Sequence, residues 1–415
     1  MPWSTLLRTS GVGWAVIPTC VWMWYFTNSP TYYVTENYWQ AATSQITQIT
    51  IVPLAVCAAG AAWEALRLKR SGLVDGGGGT SARSALTVAL AQLKPVWYAS
   101  VLFTAWSLVC VTRWTDHAPG HPDLRVIALV GLMFCAHTLA GYAIGWLLPG
   151  LLTVPAVAVG TFLWLSYPRA LEPLWVRQLN GTNLAECCGY DQTLTLRALT
   201  VPTLVLLGLV AFALLALLTR TRRGGLLTLT PLVAVAALAV PLAIPLGYKV
   251  AENRDTSAQT CLRGEVRVCV WPEQRADADE FRTWAQEGAS RLRRMGVTPP
   301  KSYSPSFSNP TRPEVLKALV TSVMPSTFPV CGKRPWAGRS AYVPVGIWLE
   351  LTAGASRTDI ARTTGASPAV FALVKRVRAL PRSAQLAWYR SNHAAITTCT
   401  VQPRLDPSDY PGSGA

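Results

Sequence analysis

Seven apolar stretches, at residues 12–27, 46–66, 96–112, 126–148, 151–167, 199–218 and 226–247, constrain this chain more than anything else in its sequence. At 1.5 Å of rise per helical residue, each crosses or nearly crosses a hydrocarbon core of about 30 Å. No water reaches backbone amides and carbonyls at that depth, so each stretch must satisfy them internally as a helix. Charge agrees: only 14% of the 415 residues are Asp, Glu, Lys or Arg, against about 25% in soluble domains. Disorder, collagen and a small disulfide scaffold are excluded by the same figures. Trp22, Trp24, Tyr25, Tyr32, Tyr33, Trp97, Trp146, Tyr167 and Trp175 gather near the ends of the stretches, where amphipathic rings suit the headgroup layer. The first stretch is expected to be retained, because Asn28-Ser29-Pro30-Thr31-Tyr32 follows it rather than an A-x-A-like cleavage site.

Charge density divides the chain near Tyr248. Residues 1–248 carry 14 basic and 8 acidic side chains, and the shorter remainder carries 23 and 13. The expected fold is therefore an all-α membrane protein: a bundle of about seven transmembrane helices over 1–248, then a mainly helical domain with a small β element over 249–415. Orientation follows from Lys and Arg, which resist translocation. Arg8, Arg67, Lys69, Arg70, Arg83, Lys94, Arg220, Arg222 and Arg223 fall on one side, and Arg113, Arg125, Arg169, Arg177 and Arg197 on the other. The richer side is cytoplasmic, with the N-terminus. An odd number of crossings then makes the C-terminal domain extracytoplasmic, on a protein of the plasma membrane.

The cysteines bear on the same question, since structural disulfides persist only on the oxidising side. Cys20, Cys57, Cys110 and Cys135 lie inside apolar stretches, whereas Cys187, Cys188, Cys261, Cys269, Cys331 and Cys399 fall in segments assigned to the outside. Six cysteines allow 15 pairings; Cys261 with Cys269 and Cys331 with Cys399 are the expected ones, and the adjacent Cys187 and Cys188 are not expected to join each other. A zinc site is the rival explanation, but C-x2-C spacing and a nearby His pair are both missing.

Few groups point to chemistry. The apolar stretches hold no carboxylate near mid-depth; Glu64 lies at the inner end of the second, and His137 is the ionisable group well inside. A lone His is either a packed, hydrogen-bonded core residue or an intramembrane polar site on a transport path. Gly76-Gly77-Gly78-Gly79 precedes Thr80 without the Lys of a phosphate loop, so no cofactor is expected and any energy must come from a partner. His117 and His121, flanked by Asp116 and Asp123, read as exposed turn residues, and no H-E-x-x-H, G-x-S-x-G or paired-carboxylate pattern marks an enzyme. Neither a catalytic nor a metal residue is expected.

The loop between the second and third helices is where a partner could push. Residues 81–94, from Ser81 through Leu86, Ala89, Leu90 and Leu93 to Lys94, read as a short helix with one apolar face, stopping at Pro95. It is either a coupling helix or an interfacial helix on the inner leaflet. On helix four, Gly141 and Gly145 form G-x-x-x-G, read as internal packing, with homodimerisation as the motif's other use.

On this layout the body resembles the membrane subunit of an ABC-2 type transporter over residues 1 to about 223. The likeness rests on six helices beginning inside, the helix-bearing loop at 81–94, the tight Pro149-Gly150 turn, and an outer segment at 168–197. In that family the last of these re-enters the membrane as short helices, a role that Leu171, Leu174, Trp175, Val176 and Leu179 would fill here. A seventh helix and a large outer domain are additions to the pattern. The chain is also similar to actinobacterial membrane proteins ending in a Cys-containing domain, through Cys261, Val268-Cys269-Val270-Trp271-Pro272-Glu273, Leu386-Ala387-Trp388-Tyr389 and Cys399. The resemblance implies a permease-like exporter subunit driven by a separate ABC ATPase chain, with the outer domain binding or gating.

In the outer domain, Val266, Val268 and Val270 alternate with Arg267, Cys269 and Trp271 as in a strand. Phe281, Trp284, Ala285, Leu292 and Met295 share one helical face that stops at Gly296, and Thr311, Pro313 and Glu314 read as a capping box opening another helix. Further helices are expected near 344–353, 356–364, 367–380 and 383–397. Residues 356–378 also have the spacing of a helix-turn-helix, with Lys375, Arg376 and Arg378 as phosphate contacts. Two other functions therefore stand beside the exporter: a non-transporting sensor or assembly factor, and a membrane-anchored DNA-binding regulator. Nucleic acid is disfavoured because Cys331 and Cys399 flank that region.

Overall fold

The computed structural model describes residues 10–29, 34–71, 85–115, 118–148, 150, 152–219, 225–305, 310–325, 329, 331 and 336–410. The chain forms two compact units, Met1–Asp255 and Thr256–Ala415.

The first unit contains α1 (Gly11–Thr27), α2 (Trp39–Ile49), α3 (Ile51–Arg70), α4 (Ala85–Gln92), α5 (Lys94–Thr112), α6 (Leu124–Leu147), α7 (Thr153–Ser166), α8 (Leu196–Thr219) and α9 (Gly225–Ala243). Among the described residues five helical segments are long and apolar enough to cross a bilayer: Ile51–Arg70, Lys94–Thr112, Leu124–Leu147, Leu196–Leu218 and Thr228–Leu246. The sequence pattern predicts seven. The two others form shorter helices: α1 fills its expected stretch and ends at Thr27 after 17 residues, and α7 stops at Ser166 after 14, lengths of about 26 and 21 Å. Pro168 explains the second stop: α7 gives way to a 3-10 turn at Tyr167–Ala170, because proline removes an amide and crowds the preceding turn.

Helix α2 is not an apolar stretch at all. Its sequence WQAATSQITQI is polar, yet Thr43, Ser44, Gln45 and Thr47 are buried. The hydroxyls of Thr43 and Ser44 donate to the Trp39 and Gln40 carbonyls at 2.6 and 2.7 Å. Gln45 Nε2 reaches the Ala185 carbonyl at 2.6 Å. Polar side chains satisfied this way can be buried at little cost, and hydropathy cannot see them. The expected span 46–66 is accordingly broken at Thr50, between α2 and α3.

Small residues set the packing of the bundle. Helix α3 lies along α6 and α7, α6 also meets α8, and α8 pairs with α9. A Cβ on Gly145 would stand 2.6 Å from the Ala62 carbonyl oxygen, and one on Gly141 would meet that of Ala58 more closely still. The G-x-x-x-G face is thus filled by α3 of the same chain, and Ala58 and Ala62 supply the small partners. At the C-terminal ends of both helices Lys69 Nζ donates to the Trp146 carbonyl at 3.0 Å, so α3 and α6 run parallel. The segment expected to hold re-entrant helices instead forms 3-10 turns at Tyr167–Ala170, Leu174–Gln178 and Thr182–Glu186. Pro168, Pro173 and Gly181 interrupt any longer helix. A short strand β1 (Gln192–Leu194) follows and pairs antiparallel with β2 (Ala251–Asn253).

The second unit has its own core. Strand β4 (Arg267–Val270) pairs antiparallel with β3 (Thr260–Leu262) and parallel with β5 (Ser302–Tyr303). Helix α10 (Ala278–Met295) packs on this sheet, and α11 (Arg312–Thr321), α12 (Arg339–Ala353), α13 (Arg357–Thr364), α14 (Pro368–Arg378) and α15 (Arg382–Thr397) complete the unit. Phe281, Ala285 and Leu292 are buried along one face of α10, which Gly296 ends in the left-handed conformation at φ 89°, as a C-terminal cap requires. Thr311 and Glu314 form the expected capping box, with Thr311 N–H donating to Glu314 Oε2 at 2.7 Å. At the centre the Trp348 ring stacks on Tyr389 at 5.3 Å. Asn392, fully buried, donates to the Arg404 carbonyl at 2.7 Å and accepts from its amide at 2.9 Å, fastening the segment after α15.

Glu350 is the exception in this core. Burial in α12 pushes its carboxyl above the usual carboxylate range, and the charge of Lys317 only partly offsets this. A carboxyl with a raised folded-state pKa favours the protonated folded form, so the carboxylate costs stability once pH passes the usual value near 4, and the cost is complete above the raised one. Glu350→Gln is therefore expected to raise the melting temperature of the full chain in neutral detergent at pH 7, by about 1–3 °C, with the gain fading as pH falls toward 4. A Gln variant that melts lower at both pH values would show instead that the carboxylate makes net favourable contacts.

Candidate functional site

Within the first unit, helices α6, α7, α8 and α9 line an open, apolar cavity of ≈ 610 Å³. From α6 it is lined by His137, Ala140, Gly141 and Ile144, spaced three and four apart so that they share a face. From α7 it takes Thr153, Ala156, Val157, Gly160, Thr161 and Trp164, again at helical spacing. Small side chains at Ala140, Ala156 and Gly160 leave the space open. Its size is within the range of small-molecule sites, which pair apolar walls with a few placed polar groups.

His137 is the ionisable group on that wall and is 4% exposed. Its Nδ1 lies 2.8 Å from the Met133 carbonyl. A carbonyl only accepts, so Nδ1 carries the proton and Nε2 of the neutral ring is an acceptor. Among the described residues Nε2 has no hydrogen-bond partner, and neither does the adjacent buried hydroxyl of Thr138. A buried polar atom left unpaired costs about 1–3 kcal/mol; Nε2 is closed off as the ring stands, so a guest bearing an N–H or O–H donor would gain by meeting it only if the ring turns toward the cavity. The sequence singles out His137 but not the α7 residues, whose signal is the recurrence of Ala156 and Gly160 among larger side chains.

The other expected residues are distributed as follows. Ser81, Asp116 and His117 lie outside the described residues. Helix α4 forms, with Ala89 and Leu93 buried and Leu86 half-buried, and it rests against α8. Leu90, expected on the same face, is instead 44% exposed; it lies about 100° round the helix from Ala89, at the edge of the buried stripe. Lys94 opens α5. Glu64 is buried but paired with Arg67 at 2.8 Å.

All six cysteines outside the apolar stretches are paired. Cys261 and Cys269 stand opposite each other in the β3–β4 register with Cα atoms 4.0 Å apart, and Cys331 meets Cys399 at a Cα separation of 5.5 Å. Cys187 and Cys188, not expected to pair with each other, do so, with a cis peptide bond between them. Helices α13 and α14 are joined through Gly365 at φ 59°, as in a helix-turn-helix. A recognition helix reads bases from its N-terminal residues, and here that end is Pro368, Ala369 and Val370, while Lys375, Arg376 and Arg378 lie on the last turn.

A family model described as a domain of unknown function (DUF7224) matches residues 268–399, which run from β4 to Cys399 within the second unit. No curated protein and no solved structure matches the chain.

Proposed function

We propose that the chain is the permease-like membrane subunit of an ATP-driven exporter whose nucleotide-hydrolysing partner is a separate chain. The observation that carries this reading is the His137 cavity: an open, apolar pocket between α6, α7, α8 and α9 with a buried histidine in its wall. Its substrate class is a largely apolar molecule bearing a hydrogen-bond donor. Helices α1 and α7 would complete seven crossings, α7 with the help of its 3-10 extension. The parallel run of α3 and α6 agrees with both entering from the outer side. Two disulfides, Cys261 with Cys269 and Cys331 with Cys399, support an extracytoplasmic second unit, since such bonds persist in oxidising compartments.

Coupling is assigned to α4, docked on α8 through its buried face and leaving Leu90 exposed for the ATPase. Purifying the full chain from native membranes in neutral detergent is expected to retain a nucleotide-binding subunit and ATP hydrolysis. Leu90→Asp should strip both away, about tenfold or more, without lowering the yield of the membrane chain. Recovery of the chain alone, or hydrolysis indifferent to the substitution, would reject the exporter in favour of a sensor or assembly factor, a second reading favoured by the independent core of the second unit.

A further inference from the structure

In the second unit an open cleft of ≈ 440 Å³ is walled by Arg291 and Arg294 of α10, Arg378 at the end of α14 and Arg382 at the start of α15. Met295, Leu351, Thr352 and Gln385 complete it, and no carboxylate lines it. Elsewhere on the same domain arginines are neutralised: Arg282 pairs with Asp279 at 2.9 Å, Arg293 with Glu265 at 2.5 Å and Arg312 with Glu287 at 3.1 Å. Among the described residues none of the four cleft arginines has such a partner. Arg294 follows Arg293 directly and Arg291 precedes it by two residues on the same helix, so the difference is one of placement and not of composition.

The cleft is also held in shape. Gln385, buried at its floor, donates to the carbonyls of Arg378 and Leu380 at 3.0 and 2.8 Å and accepts from Trp348 Nε1 at 3.2 Å. These bonds tie the α14–α15 turn, and with it Arg378 and Arg382, to α12. Across the cleft the guanidinium of Arg291 lies over Gly354: a Cβ there would be 2.5 Å from its Nη1. Four like charges gathered round one cleft repel each other, and the arrangement persists most cheaply when an anion sits among them.

We infer that this cleft binds a phosphate-bearing ligand. Guanidinium forks match phosphate oxygens in bidentate fashion, and four of them exceed what a single carboxylate can neutralise, so the ligand carries two or more negative charges. A phospholipid headgroup and a soluble phosphate share that chemistry. The site is independent of whether the chain transports.

The test uses the full chain in neutral detergent, titrated calorimetrically with inorganic pyrophosphate and, separately, with short-chain phosphatidic acid. Both are expected to bind and to raise the melting temperature of the wild type. The Arg291→Gln, Arg382→Gln pair should weaken binding at least tenfold while melting no lower than wild type, because like-charge repulsion is relieved. The Arg294→Gln, Arg378→Gln pair provides the same readout through different side chains. Arg282→Gln with Arg362→Gln, which removes paired arginines outside the cleft, should leave affinity unchanged. Tighter binding of phosphatidic acid assigns a lipid headgroup, and tighter binding of pyrophosphate a soluble ligand. Binding of neither, equal losses in the control pair, or a preference for a single-stranded oligonucleotide over both would overturn the assignment.

Discussion

Gly145→Leu is expected to abolish the folded membrane bundle. The Cβ it adds would meet the Ala62 carbonyl at 2.6 Å, and a backbone oxygen in the middle of α3 cannot swing aside as a side chain would. Relief requires α3 and α6 to separate along their length, which sacrifices the close van der Waals contact that holds membrane helices together. Overpacking of this kind costs about 3 kcal/mol or more, a large share of a marginal stability of about 5–15 kcal/mol. Gly141→Leu, against the Ala58 carbonyl, should behave alike. Gly131, also on α6, has nothing within 4 Å of an added Cβ, so Gly131→Ala serves as the silent control. Size-exclusion chromatography in detergent checks this: wild type and Gly131→Ala give one sharp peak, and the Leu variants give aggregate. A well-folded Gly145→Leu monomer from a wild-type dimer would mean that the motif joins two chains instead of two helices of one.

Residue pattern foretells the elements whose cause is local. The apolar periodicity of α10, its stop at Gly296 and the Thr311–Glu314 box each act over one or two helical turns, and the structure has them where the spacing puts them. Alternation around Cys269 implies a strand, and the register of that strand then brings Cys261 opposite. What escaped depends on distant partners. The polar helix α2 is buried because carbonyls as far away as Ala185 receive Gln45. Five of the seven expected helices reach bilayer length among the described residues; α1 fills its expected stretch but has only 17 residues, and α7 stops at Ser166. His137 is legible as a lone polar residue, but that it faces a cavity depends on small side chains in α7. The arginine cleft is unreadable in sequence: Arg291 and Arg382 are far apart along the chain, and only the packing of both α10 and α15 on α12 makes them neighbours.

The Cys331–Cys399 bond should be the largest single contribution to the stability of the second unit. It closes a loop with a sequence separation of 68, for which the chain-entropy relation gives about 4 kcal/mol, against about 2–3 kcal/mol for the much shorter loop between Cys261 and Cys269. Cys331→Ser is therefore expected to lower the melting midpoint of this unit, followed by tryptophan fluorescence in the full chain, by roughly 10 °C. Cys399→Ser should give the same loss, and the double variant no more, because either substitution opens the same ring. Reductant should bring wild type down toward the single variants. If the Cys331→Ser chain melts with wild type under non-reducing conditions, the bond is not formed in the protein as made. The argument from disulfides to an oxidising compartment would then fail with it, because a domain that holds together without its bridge is equally at home on the reducing side of the membrane.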